Sequence, residues 1–186
     1  MNASSLLELD ARLSGQMRVA EKPGTLRTIA VFLAHSGDSW FWGVALIILW
    51  LLSDSTWKEF AVVMFAGISL LAIVVLIVKF SVRRRRPEGE WGGIYRSTDP
   101  HSFPSGHAAR AFLIAVIGSA LGPDWLGVLL WIWAPLVALA RVAMGVHFLS
   151  DVIAGSFLGI VVGVLGLQFS EAFFAWLTNL TGFALW

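Results

Sequence analysis

The chain has no cysteine and little charge. Without cysteine there is no disulfide framework and no thiolate zinc site, so any metal chemistry rests on the four histidines and the carboxylates. Charged residues make up 13% of the 186 and hydrophobic residues 58%, where soluble domains run nearer ~25% and ~45–50%. With a mean hydropathy of +0.79, too few polar side chains remain to cover a globule in water. The expectation is an integral membrane protein. The length suits a single domain over residues 1–186, because five or six spans of ~20 residues with short loops use it up. An apolar signal-peptide core is missing as well: residues 1–26 mix acids, bases and apolar side chains, so the N-terminus is expected to be retained.

What is present is periodic. Leu6, Leu9, Leu13 and Met17 recur at helical spacing, Ser5 and Glu8 form a capping box, and charges fill the other face. This predicts an amphipathic helix, lying on the bilayer or packed like any other, that ends near Pro23-Gly24. The apolar stretch Trp40–Leu52 is short for a span unless it begins near Gly37, with Arg27–Leu33 either extending it or making a separate interfacial turn. Phe60–Val78 is free of charge and runs into Lys79, Arg83, Arg84, Arg85, Arg86 and Pro87, where proline stops the helix. A polar loop covers Glu88–Phe103, and a helix from Pro104-Ser105 to about Leu121 precedes the turn at Gly122-Pro123. Trp125–Ala143 and Asp151–Ser170 are further spans, and the aromatic tail Phe173–Trp186 is placed at the interface. The predicted fold is all-α, a polytopic membrane helical bundle of about five transmembrane helices plus the N-terminal interfacial helix.

Trp40, Trp57, Trp125 and Trp176 fall near span ends, as in an aromatic belt, whereas Trp131 and Trp133 lie mid-span and are assigned to packing. Gly155, Gly159 and Gly163 share a helix face that permits close approach, either to another helix of the same chain or to a second copy in a homo-oligomer. With five spans, all of the 13 Lys and Arg except Lys58 lie on one side, which the positive-inside rule makes cytoplasmic.

Charged and histidine side chains at membrane depth cost roughly 2.5–3.5 kcal/mol each on insertion scales, so each needs a reason. Three clusters stand out on the same predicted side. Lys79 with Arg86-Pro87, taken alone, is most simply a topology signal. Pro104-Ser105-Gly106-His107 opens a helix: serine caps, glycine admits a ligand to the backbone, and unpaired N–H groups there can receive a phosphate; a plain helix start is equally compatible. In the third cluster, Arg141, His147 and Asp151, a carboxylate four residues after an imidazole can fix its tautomer and leave the other ring nitrogen nucleophilic. As an isolated pair, His147–Asp151 is more simply structural.

In this order the three clusters resemble the three-part signature of the type 2 phosphatidic acid phosphatase family, integral membrane lipid phosphatases whose soluble relatives are vanadium haloperoxidases. The resemblance covers Lys79 to Asp151. It implies a membrane lipid phosphatase acting on a phosphate monoester or diphosphate of phosphatidic acid, phosphatidylglycerophosphate or polyprenyl phosphate type. His147 would attack phosphorus, Asp151 would orient its ring, and His107 would protonate the leaving alkoxide and later act as base. Lys79, Arg86 and Arg141, with the backbone N–H groups of Ser105 and Gly106, would hold the phosphoryl oxygens. No cofactor, metal or nucleic-acid partner is implied. A phosphotransferase using the same histidine, or a lipid-binding subunit without activity, are the alternatives. The family's usual serine before the third-motif arginine is here Ala140, which removes one hydrogen-bonding group, and members often have six spans. Outside the motifs, Arg83, Arg84 and Arg85 are assigned to headgroups or topology, Arg110 to the site or the surface, and His101 to the loop at the entrance. His35 is read as interfacial, and Asp99 and Glu90 as solvated loop charges.

Overall fold

The computed structural model describes residues 3–20, 22–89, 91 and 99–182, so Glu90 and the last residues of the tail lie outside the described residues. Among the described residues the named elements are all helices. An N-terminal helix α1 (Ala3–Gln16) is followed by α2 (Thr25–Ser36), α3 (Ser39–Leu52) and the long α4 (Ser55–Val82). Then come α5 (Gly106–Leu121), α6 (Asp124–Ala143), α7 (Leu149–Gln168) and α8 (Ser170–Thr181).

By length and apolar composition α4, α6 and α7 can each cross a membrane, and α2 with α3 makes a fourth crossing if the pair, bent by 53°, counts as one. The expected fifth is α5, which has 16 residues and is shorter than the hydrocarbon thickness of about 30 Å at ~1.5 Å per residue. Its position explains the shortness. Ala108, Ala109, Ala111, Leu113, Ile114, Ala115, Ile117 and Gly118 are buried on all sides of it, so α5 is the bundle's central rod and other helices meet the lipid for it. Phe157 and Leu52, by contrast, stand open on the outer surface. Trp131, assigned from the sequence to packing, lies 41% exposed with one edge against Phe112. Trp133 does pack, its ring tilted against Trp42 at 5.4 Å.

Small residues set how closely α7 lies on α5. A Cβ at Gly159 would overlap the carbonyl of Ala109, and one at Gly155 would meet the carbonyl oxygen of Ser105. The glycine face is therefore buried within the protein, against α5, and is not available to a second copy as the homo-oligomer expectation required. The close approach brings the start of α5 beside the start of α7, where the Ser105 N–H donates to the Asp151 carbonyl at 2.9 Å.

The end of α4 and the N-terminal helix serve the same arrangement. Arg83 takes a left-handed conformation (φ 54°) at the end of α4, which turns Arg84, Arg85 and Arg86 back over the bundle. The N-terminal helix is not only a surface helix. Ser14 accepts from the Leu149 N–H at 2.8 Å and Asp10 from the Ser150 N–H at 3.0 Å, satisfying donors at the start of α7 that the helix itself cannot pair.

Candidate active site

Among the described residues the buried polar side chains, apart from Ser14 and Ser102, are all motif residues: Lys79, Arg86, Ser105, Arg141, His147 and Asp151. Burying so many polar groups in an apolar bundle is unfavourable unless they satisfy one another or a ligand. They come from four places: the end of α4, the strand-like segment after it, the start of α5, and the α6–α7 turn. Lys79 and His147 among them line a cavity of about 220 Å³, whose polar part also holds Asp99, Gly106, His107 and Arg110. Both histidines thus border one space, although they stand on separate helices and far apart in sequence.

His147 is fixed in a definite protonation pattern. The Arg86 guanidinium lies 3.2 Å from its Nε2, and since a guanidinium only donates, Nε2 must be the unprotonated nitrogen and Nδ1 the N–H. Asp151 Oδ2 is 3.6 Å from Nδ1, within ion-pair reach but longer than a hydrogen bond. Burial first, then the cations Arg86, Arg141 and Lys79, hold the His147 pKa well below the ordinary imidazole value. The ring is therefore neutral near pH 7 with its Nε2 lone pair turned toward the cations.

Asp151 is itself held by donors. The Phe148 N–H reaches Oδ2 at 2.9 Å and Arg84 reaches Oδ1 at 2.7 Å. Arg84 also donates to Asp10 at 2.7 Å and covers the Phe148 ring at 4.0 Å. This corrects the assignment of Arg84 to headgroups or topology: it ties the catalytic-motif aspartate to α1. A run of arginines after a span carries no signal as to which one turns inward; only the left-handed turn at Arg83 decides it.

Asp99 is a second correction. Although its side chain is 41% exposed, it is more than a solvated loop charge: it is the counter-ion of the cations, bonded to Lys79 Nζ and to Arg86 at 2.7 Å. Burial alone would raise its pKa, but the hydrogen bond and charge of Lys79, then the charge of Arg86, hold its carboxyl below the usual range. The Lys79 ammonium also donates to the His101 carbonyl at 3.0 Å, and the His101 ring stands edge-on to Phe80. Arg141 is fully buried, and its charge is felt at both histidines.

At the start of α5 Ser105 caps the helix, its hydroxyl accepting from the Ala108 N–H at 3.4 Å. Its own N–H is already given to Asp151, so of the two backbone donors expected for phosphate only the Gly106 N–H is left at the cavity wall. Arg110 faces the site, lining the cavity and donating to the Gly37 carbonyl. His107 Nε2 lies 2.7 Å from Asp38, whose other oxygen meets His35 Nδ1 at 3.0 Å. Neither Asp38 nor its link to His35 was legible in the sequence, where His35 reads as an interfacial residue. Ala140 packs among Ala30, Ala34, Met144 and Val146, so the position of the family's serine is here a packing position. Among the described residues no three His, Asp or Glu side chains converge as metal ligands.

Comparison with known proteins identifies the family. Residues 60–175 match the family model described as the PAP2 superfamily. The chain is 32% identical to a probable lipid phosphate phosphatase beta of Arabidopsis thaliana, over 88% of this chain and 90% of that protein. It is 31% identical to decaprenylphosphoryl-5-phosphoribose phosphatase of Mycobacterium tuberculosis, over 85% and 88%. Among solved structures it resembles LpxE of Aquifex aeolicus, with TM-score 0.66 at 26% identity over 83% of this chain and 93% of that one. The fold is also that of the PAP2-type phosphatidylglycerolphosphate phosphatase of Bacillus subtilis, with TM-score 0.74 at 23% identity over 92% and 89%. By motif, fold and family model together, the chain belongs to the PAP2 superfamily of membrane phosphatases.

Proposed function

We propose that this protein hydrolyses the phosphate of a membrane lipid, a monoester or diphosphate, through a phosphohistidine formed on His147. The observation that carries this reading is the two-sided cavity. Lys79, His107, Arg110 and His147 make its polar end, and Ile68, Leu71, Ala72, Val75 and Leu76 of α4 make an apolar wall beside it. A substrate with a phosphate at one end and hydrocarbon at the other fits both, and the curated relatives share a phosphate on a lipid as their named substrate.

The geometry supports the following steps. Nε2 of His147 attacks phosphorus while the Nδ1–H turns to Asp151, whose charge stabilises the imidazolium that forms. Arg86 moves its N–H from Nε2 to a phosphoryl oxygen, joining Lys79, Arg141 and the Gly106 N–H as charge builds. Protonated His107 gives its proton to the leaving oxygen, and the alcohol departs. Neutral His107 then takes a proton from water, the hydroxide attacks phosphorus, the P–N bond breaks, and inorganic phosphate leaves; such acid–base help is worth about 10²–10⁴-fold. The side carrying the motifs and all cations but Lys58 faces the cytoplasm in this reading.

Purified protein incubated with a panel of lipid phosphates is expected to release phosphate, and His147→Ala to abolish the release. Near-normal turnover in that variant rejects His147 as nucleophile. An impermeant thiol reagent that labels Ser97→Cys from outside intact cells rejects the cytoplasmic site.

A further inference from the structure

His107 must hold a proton before the first step and recover one in the second, yet nothing in the three motifs holds its ring. The group that does is Asp38, 69 residues earlier. We propose that Asp38, at the break between α2 and α3, is the positioning residue for the acid–base imidazole of His107, as Asp151 is for His147. The inference rests on the phosphatase reading above and extends it to a residue outside the motifs.

A carboxylate only accepts, so the 2.7 Å contact places a proton on His107 Nε2 and leaves Nδ1 as the nitrogen that exchanges protons with the substrate. The negative charge also stabilises the imidazolium that must donate. It works against burial of the ring and two cations, Arg141 from α6 and Arg110 one turn along α5, all of which oppose a positive ring. Loss of Asp38 removes the charge that offsets them.

The break itself is held rigidly. Arg110 donates to the Gly37 carbonyl, Trp42 of α3 donates to the Ser36 carbonyl at 3.0 Å, and Trp133 of α6 donates to the Ser36 hydroxyl at 2.8 Å. Three elements thus fix Ser36 and Gly37, immediately before Asp38. A catalytic imidazole needs placement of this quality, because roughly 1 Å of displacement can cost about 10²-fold in rate. On the far side His35 bonds the second carboxylate oxygen and is 44% exposed against 20% for Asp38. His107, Asp38 and His35 therefore form a hydrogen-bonded series from the cavity to the surface, in which both rings donate to the one carboxylate.

The test uses the full chain in detergent micelles and the variant Asp38→Asn, which keeps the size of the side chain and a good N-cap for α3. Two substrates are compared: an alkyl lipid phosphate, whose alkoxide must be protonated to leave, and p-nitrophenyl phosphate, whose phenolate leaves unaided. The variant is expected to lose on the order of 10–100-fold in kcat on the lipid, with KM within about twofold, and to keep the rapid burst of p-nitrophenol. His107→Ala should show the same split more strongly. Equal losses on both substrates, or no loss in Asp38→Asn while His107→Ala shows the split, overturns the inference. Should the Asn variant not fold, Asp38→Ser, which also caps, is judged by the same split. A burst that survives in His147→Ala instead overturns the parent reading, so the two failures are distinguishable.

Discussion

Replacing Gly159 by alanine adds one methyl group where α7 lies against the backbone of α5. The new Cβ would fall 2.8 Å from the Ala109 carbonyl carbon and overlap its oxygen. An ordinary carbon–carbon contact is about 3.5–4.0 Å, and the obstacle is backbone, which cannot swing aside as a side chain can. The helices must therefore part by about 1 Å. Overpacking of this kind costs about 1–3 kcal/mol in stability. The larger effect should be on catalysis. His107 and Ser105 stand at the start of α5, Asp151 in the first turn of α7, and the Ser105–Asp151 bond at 2.9 Å spans the gap. Parting the helices lengthens that bond and moves the His107 ring away from His147, for an expected loss of about 10²-fold in kcat under the proposed mechanism. The control is Gly166→Ala on the same helix, where nothing lies within 4 Å of the added methyl. It should be fully active and up to about 1 kcal/mol more stable, since alanine suits a helix better than glycine. Phosphate release and thermal unfolding in micelles measure both. Wild-type turnover in Gly159→Ala, or an equal loss in Gly166→Ala, refutes the argument.

Three more outcomes are expected. Arg84→Ala removes the donor to Asp151 Oδ1 and to Asp10 together; each bond to a charged group is worth about 1.5–3 kcal/mol, so the unfolding temperature should fall and kcat with it, and a variant unchanged in both assigns Arg84 back to the surface. Because burial and Arg86 lower the His147 pKa, protonation silences His147, the proposed nucleophile, only at pH values below the ordinary imidazole range. The acid limb of kcat/KM, after the substrate's own phosphate ionisation is measured and divided out, should lie below about pH 6.5, and a limb above it contradicts the assigned environment. Finally, activity should survive a chelator and be blocked by vanadate; loss in chelator that a divalent ion restores would place a metal in the mechanism.

The membrane setting, the all-helical bundle and the three polar clusters were legible in the amino-acid order alone. Each depends on something local: apolar run length, a capping serine before a histidine, or a carboxylate four residues beyond an imidazole. What could not be read was pairing between distant segments. Asp38 and Asp99 look like loop acids until packing sets one against His107 and the other against Lys79 and Arg86. Arg84 is indistinguishable from its neighbours until the left-handed turn at Arg83 aims it at Asp151. The glycine face of α7 signals close contact, but only the fold says that the partner is α5 of the same chain. The difference is physical: periodicity and capping arise between residues a few positions apart, whereas a counter-ion in a low-dielectric interior is chosen by three-dimensional proximity, which the order of residues does not encode position by position.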